Sequence, residues 1–234
     1  MIRAVLLDLD DTLYPQSSWL VGALAAVADA GSTFGADRVR LFRSLRAVAN
    51  QGSDRGRIID RALARSGYPH IPVPPLHDAF RTHAPRSLRC YPGVVPALAK
   101  LRRHVSIGIV TDGDVSIQQS KLRALRIDAD VVVFSDSHGR AHRKPDPMPF
   151  LHALAALGVG PREAIFIGDR PDKDIVGAMR LGMRAIRVRT GEHAALPDPP
   201  RTWATARHVV DAIEGCLAEI ERGSAKCHAF NRAG

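Results

Sequence analysis

The stretch Val5-Leu6-Leu7-Asp8-Leu9-Asp10-Asp11-Thr12-Leu13-Tyr14 governs the reading of this sequence. An apolar run stops at a carboxylate, and a second carboxylate sits two residues on. Residues two apart on an extended strand share a face, so Asp8 and Asp10 can point the same way where a strand opens into a loop. Ala4 to Leu7 have the unbroken apolar character of a parallel strand covered on both sides. Open α/β sheets bind ligands at the carboxyl ends of their strands. Three clustered acids at such a place repel one another, and a bound divalent cation is the simplest compensation. Taken alone, the turn propensity of Asp explains them as well. The rest of the chain breaks the tie.

The bulk properties narrow the class. The 234 residues suffice for one domain with a substantial core, or a core domain with a modest insert. A hydrophobic content of 45% fits a folded globular chain. No apolar run reaches membrane-span length, and the N-terminus enters a strand pattern with no signal peptide in view. Cys90, Cys216 and Cys227 show neither metal-ligand spacing nor a disulfide framework, so a reducing cytoplasm is the expected compartment. The net charge is +9 and the pI about 10.2. The arginines are dispersed over helical patterns rather than gathered in a stripe, and aromatics make up only 5%. Stacking platforms for bases are therefore scarce, and no nucleic-acid partner is expected.

From Trp19 to Leu63 the periodicity is helical, in three segments around Trp19–Val27, Val39–Val48 and Ile58–Leu63. The prolines between Pro69 and Pro75 cannot continue a helix, and Leu76 to His83 reads as one more short helix. Arg38, Arg40, Arg43, Arg46, Arg55, Arg57, Arg61 and Arg65 lie in this region. Most read as exposed helix faces, and some are candidates for holding a substrate's anionic part.

The sheet pattern then resumes. Val105 to Val110 is a strand ending in Thr111-Asp112-Gly113, where a hydroxyl donor and a permissive glycine suit an anion. A helix over Ile117–Leu125 and a strand over Val131–Phe134 follow. Lys144, in an Arg-dominated chain, is fixed in an extended turn by Pro145. Such a lysine can neutralise a phosphoryl group together with Asp8. Ala164 to Ile167 is a further strand running into Gly168-Asp169-Arg170-Pro171-Asp172-Lys173-Asp174. Ala185 to Val188 is the last strand read, and His208 to Ile220 the last helix. Strands alternating with helices give a mainly parallel, Rossmann-like α/β sheet with helices on both faces.

Acidic or anion-binding groups thus recur at three strand ends and one intervening loop. In this order they resemble the four motifs of the haloacid dehalogenase superfamily: Asp8 to Thr12, Thr111-Asp112-Gly113, Lys144-Pro145, and Gly168-Asp169 with Asp174. The motif wording is similar to the phosphatase branch that includes phosphoglycolate phosphatases and nucleotidases. The resemblance implies a core of residues 1–15 and 88–222, a C1-type helical cap of residues 16–87 and a flexible tail from 223 to 234. It implies that Asp8 is the nucleophile and Asp10 the general acid and base. Thr111, the Asp112 amide and Lys144 would bind the phosphoryl group. Mg²⁺ would be held by Asp8, the Asp10 carbonyl and Asp169, with Asp174 as an outer ligand or a support for Lys144; Asp172 competes for that place. The substrate class implied is a small phosphorylated metabolite. A phosphomutase or phosphotransferase, or a non-catalytic binding protein on the same core, are the rival readings. Asp112 departs from the Asn common in relatives.

Overall fold

β1 (Ala4–Leu7) lies at the centre of a six-stranded sheet in the computed structural model of the protein, which describes residues 1–52 and 56–231, with side chains to residue 223. Its neighbours are β2 (Ser106–Thr111) and β4 (Ala164–Gly168); β3 (Val131–Phe134) lies outside β2, and β5 (Arg184–Val188) and β6 (Ala204–Ala206) lie outside β4. All pairings are parallel. Leu7 is in register with Ile109 of β2 and Ile167 of β4, so the three strands end within two residues of one another. Ser106–Thr111 is shifted by one residue from the expected strand, which brings Thr111 itself into the ladder.

Alternation along the strands sorts the core into two layers. Val5 and Leu7 face a layer closed by α5 (Val94–Leu101), α6 (Val115–Leu125) and α9 (Val209–Asn231). Ala4 and Leu6 face a layer closed by α7 (Met148–Ala156) and α8 (Val176–Arg180). The expected α/β sandwich is therefore present, with helices on both faces.

Between β1 and β2 the chain forms α1 (Gln16–Ser32), α2 (Arg38–Ala49), α3 (Ile58–Ser66) and α4 (Val73–Thr82). These helices share an apolar core of their own, centred on Leu24, Leu41, Leu45 and Leu63. Arg55 and Ser53 lie outside the described residues. α4 begins inside the proline run that was expected to stay non-helical. Pro74 and Pro75 occupy its first turn, where a missing N–H removes no helical hydrogen bond.

Two further differences concern the C-terminal part. β6 was not read as a strand: Ala-Thr-Ala carries little strand signal and gains its place only by pairing with β5. The last helix runs to Asn231, eight residues past the expected start of a polar tail at Gly223. Residues 232–234 and the Cys227 side chain lie outside the description.

Candidate active site

The shared strand ends place the motif residues around one cleft of about 250 Å³, lined among others by Asp8, Asp10, Thr111, Asp112, Lys144, Asp169 and Asp174. Asp8 follows β1 directly, and its N–H donates to the Ile167 carbonyl at 2.9 Å, which continues the ladder by one residue. Asp169 follows β4 in the same way. Every site residue expected from the sequence thus reaches the cleft.

Lys144 sits at the centre, 4% exposed. Its Nζ donates to Asp8 Oδ1 at 2.5 Å and to the Val110 carbonyl at 3.0 Å, and it forms an ion pair with Asp174 Oδ1 at 2.7 Å. Burial disfavours its charge, but Asp174, Asp8 and Asp112 outweigh burial and hold the ammonium charged. The second oxygen of Asp174 accepts from the Arg170 N–H at 2.9 Å. Asp174 is fully buried, whereas Asp172 turns outward to pair with Arg170 at 2.9 Å. Of these two acids it is Asp174 that reaches Lys144. A single π-helical turn, Pro171–Ile175, aims it inward ahead of α8.

Asp8, Asp169 and Asp174 each offer an oxygen within 4.8 Å of the others, all three buried. Burial pushes the Asp8 carboxyl up to about 7, with Lys144 pulling it down and Asp174 adding repulsion. Burial, then Asp174 and Asp8, push Asp169 up to about 10. One lysine does not neutralise three buried carboxylates. The oxygen-only donor set and the missing positive charge fit a hard divalent cation such as Mg²⁺.

Asp10 faces a different set of partners. Its carboxylate accepts from Lys121 Nζ at 2.8 and 2.9 Å, from Tyr14 Oη at 2.5 Å and from Gln118 Nε2 at 2.8 Å. Burial pushes this carboxyl up, but Lys121, Tyr14 and Gln118 pull it below its ordinary value. Lys121 is 3% exposed and stands 4.5 Å from the Trp19 ring centroid. Gln118 also donates to Thr111 Oγ1 at 2.5 Å and to the Asp112 carbonyl at 2.9 Å, tying the Thr111 loop to Asp10.

Sequence reasoning assigned no role to Lys121, Gln118 or Tyr14. A signal existed for Lys121: the chain has only five lysines, and Lys121, Lys144 and Lys173 all lie at this end of the sheet. The Asp112 side chain points to the Lys144 N–H at 3.1 Å, with Lys173 4.0 Å from its other oxygen, so this extra carboxylate is directed at donors. Asp11 is the turn residue of the motif, at φ 54°, and its Oδ1 takes the Gln16 N–H at 2.9 Å, at the start of α1. None of the described arginines of the α1–α4 insert lines the cleft; Gln16 is the insert residue there. Arg38 instead pairs with Asp29, and Arg40 lies over the Tyr68 ring.

Comparison with known proteins places this geometry. Residues 2–182 match the family model described as haloacid dehalogenase-like hydrolase. The chain is 38% identical over 207 residues to a glyceraldehyde 3-phosphate phosphatase of Methanopyrus kandleri, covering 82% of this chain and 86% of that protein. It is 34% identical over 171 residues to a phosphoserine phosphatase of Thermus thermophilus, covering 72% of this chain and 66% of that protein. Among solved structures it is similar to a 2-haloacid dehalogenase from Pseudomonas syringae pv. Tomato, at 26% identity and a TM-score of 0.65, over 95% of this chain and 99% of the other.

Proposed function

Because the chain belongs to the haloacid dehalogenase-like hydrolase family, we propose that it hydrolyses small-molecule phosphate monoesters with Mg²⁺, by way of a phosphoryl group carried on Asp8. The observation that carries this reading is the second carboxylate. A nucleophile needs only Asp8, but departure of an alkoxide needs a proton. Asp10 is held two residues away by Lys121, Tyr14 and Gln118, in the place of an acid and base. Cleavage of a carbon–halogen bond releases halide and needs no such group. This separates the phosphatase reading from the dehalogenase reading that the similar solved structure raises.

Asp8, Asp169 and the Asp10 backbone carbonyl would hold the metal, with Asp174 supporting that cluster and Lys144. A bound Mg²⁺ would offset the charge of the phosphoryl oxygens and of the acids around them. Asp8 attacks phosphorus in line with the ester oxygen. Thr111 and the Asp112 N–H orient the phosphoryl oxygens, and Lys144 neutralises them. Asp10, once it has taken up a proton as the phosphoryl charge enters beside it, delivers that proton to the departing alcohol and then takes one from the water that opens the Asp8 acyl phosphate.

The test is a phosphate-release screen over phosphorylated metabolites, with Asp8→Asn as control. Turnover by the native chain, stopped by EDTA and absent in Asp8→Asn, is the expected result. Undiminished turnover in Asp8→Asn would overturn the nucleophile assignment. Phosphoryl transfer to an acceptor sugar without net phosphate release would favour the mutase reading.

A further inference from the structure

A second chamber of about 320 Å³ adjoins the cleft between the insert and the core, and it shares Asp10, Gln16, Asp112, Gly113, Arg143 and Glu192 with it. On the proposed mechanism the phosphoryl group sits over Asp8 and the ester oxygen at Asp10. The alcohol part of the substrate therefore occupies this chamber.

Its wall is mostly apolar on the insert side, from Trp19, Leu20, Ile58 and Phe80, with Ile117 of α6 opposite. Its charged lining residues are two cations, Lys121 and Arg143, and four acids, Asp10, Asp112, Asp114 and Glu192. Both cations are already bound. Lys121 is closed on both oxygens of Asp10, and the Arg143 guanidinium grips Asp136 through two bonds of 2.5 and 2.6 Å. None of the insert's described arginines lines the chamber. Lys144, Lys173 and Arg170 line the adjoining cleft and not this chamber.

We propose that the substrate's alcohol part carries no carboxylate and no ammonium group: it is a compact, uncharged hydroxy- or carbonyl-bearing carbon chain. A carboxylate placed in the chamber would meet a surplus of acids with no cation left to receive it, and like-charge juxtaposition in a partly enclosed site is costly. An ammonium would leave water for an apolar wall, and the four acids are already engaged: Asp10 by Lys121, Asp112 by the Lys144 N–H, Asp114 by the Ser116 N–H as it caps α6, and Glu192 by His193. An uncharged chain loses little on entering and keeps Gln16 for its hydroxyls. This inference rests on the phosphatase reading and separates the relatives' substrates: it favours esters like glyceraldehyde 3-phosphate over phosphoserine or phosphoglycolate.

The experiment is a kcat/KM comparison with esters matched in size. 2-Hydroxyethyl phosphate is set against phosphoglycolate and phosphoethanolamine, and glycerol 3-phosphate against 3-phosphoglycerate, with p-nitrophenyl phosphate as a general reporter. The uncharged member of each set is expected to lead by at least about tenfold. Ile58→Arg, which places a cation in the chamber wall, is expected to narrow the gap to the carboxylate esters severalfold. Equal or better turnover of a charged ester by the native chain would overturn this inference while leaving the phosphatase reading in place. An unchanged gap in a folded Ile58→Arg variant would overturn the chamber as the seat of the preference. Failure to hydrolyse every ester, p-nitrophenyl phosphate included, would sink the phosphatase reading and this inference with it.

Discussion

Lys121 Nζ lies 2.8 and 2.9 Å from the two carboxylate oxygens of Asp10, so one buried lysine grips both edges of the acid proposed to serve the leaving group. The grip fixes the carboxylate plane, while Tyr14 and Gln118 complete its bonding. Lys144 plays the corresponding part for Asp8 on the other side of the cleft. Two lysines, each nearly without solvent contact, thus divide the two acids into separate roles.

The Lys121→Met variant is expected to lose turnover of alkyl phosphates on the order of 10²-fold, the usual scale of a displaced general acid. With p-nitrophenyl phosphate, whose leaving group departs without a proton, the first step is expected to survive and the later water attack to slow. A burst of p-nitrophenol in rapid-mixing kinetics would report this. Equal losses on both substrates, with no burst, would reduce Lys121 to a structural residue.

Mg²⁺ stabilisation is expected to grow with pH. In the metal-free fold the Asp8 and Asp169 carboxyls are pushed above their ordinary 3.8, to about 7 and about 10. The folded chain therefore holds protons that the unfolded chain releases. Their contribution to stability is complete below the ordinary carboxyl value and is lost as pH rises through about 7 and on towards about 10. Mg²⁺ competes with those protons, so its thermal shift is expected to be larger at pH 8 than at pH 6. Melting curves with EDTA and with Mg²⁺ at the two pH values test this, and equal shifts would place the metal elsewhere.

Gly168→Ala is expected to abolish that Mg²⁺ shift and most of the activity. A Cβ at Gly168 would come within 2.6 Å of the Asp174 Cβ and Cγ. Asp174 is fully buried and cannot step aside without releasing Lys144 and the Arg170 N–H. The overpacking is expected to cost about 1–3 kcal/mol in denaturant unfolding. A variant with native metal response would show that Asp174 is not tightly held.

Arg187 offers a stability test away from the chemistry. It is fully buried on β5, and its guanidinium donates to Asp198 and the Leu196 carbonyl at 2.6 Å and to the His193 carbonyl at 2.8 Å. It thereby pins the loop that brings Glu192 and His193 to the cleft rim. Arg187→Met is expected to destabilise by about 3 kcal/mol, since it strands the loop carbonyls and one partly exposed carboxylate. Chemical denaturation measures the loss; a change below ~0.5 kcal/mol would show the loop to be held by other contacts.

Much of the site was legible because its signals are local. An apolar run ending in carboxylates needs only a few residues to be seen, and it recurs at Asp8 and at Asp169. Lys144 stood out by its type and by the proline after it. Lys121 did not, although it is as buried as Lys144, because a lysine in a helix has an exposed reading that periodicity alone does not exclude. The same limit applied to Asp172 and Asp174, both carboxylates of one loop.

The sequence by itself determined the alternation of strands and helices, the acids at the strand ends and the position of the helical insert. Those follow from side-chain periods of two and of about 3.6, which operate over neighbouring residues. Tertiary structure alone decided the pairings. Asp10 and Lys121 are 111 positions apart and meet because β1 and β2 are adjacent and end within two residues of each other. The π-helical turn after β4 aims Asp174 inward onto Lys144, and pairing with β5 makes Ala204–Ala206 a strand. Tertiary contact also commits Arg143 to Asp136, and with it leaves a chamber beside Asp10 whose two cations are both engaged.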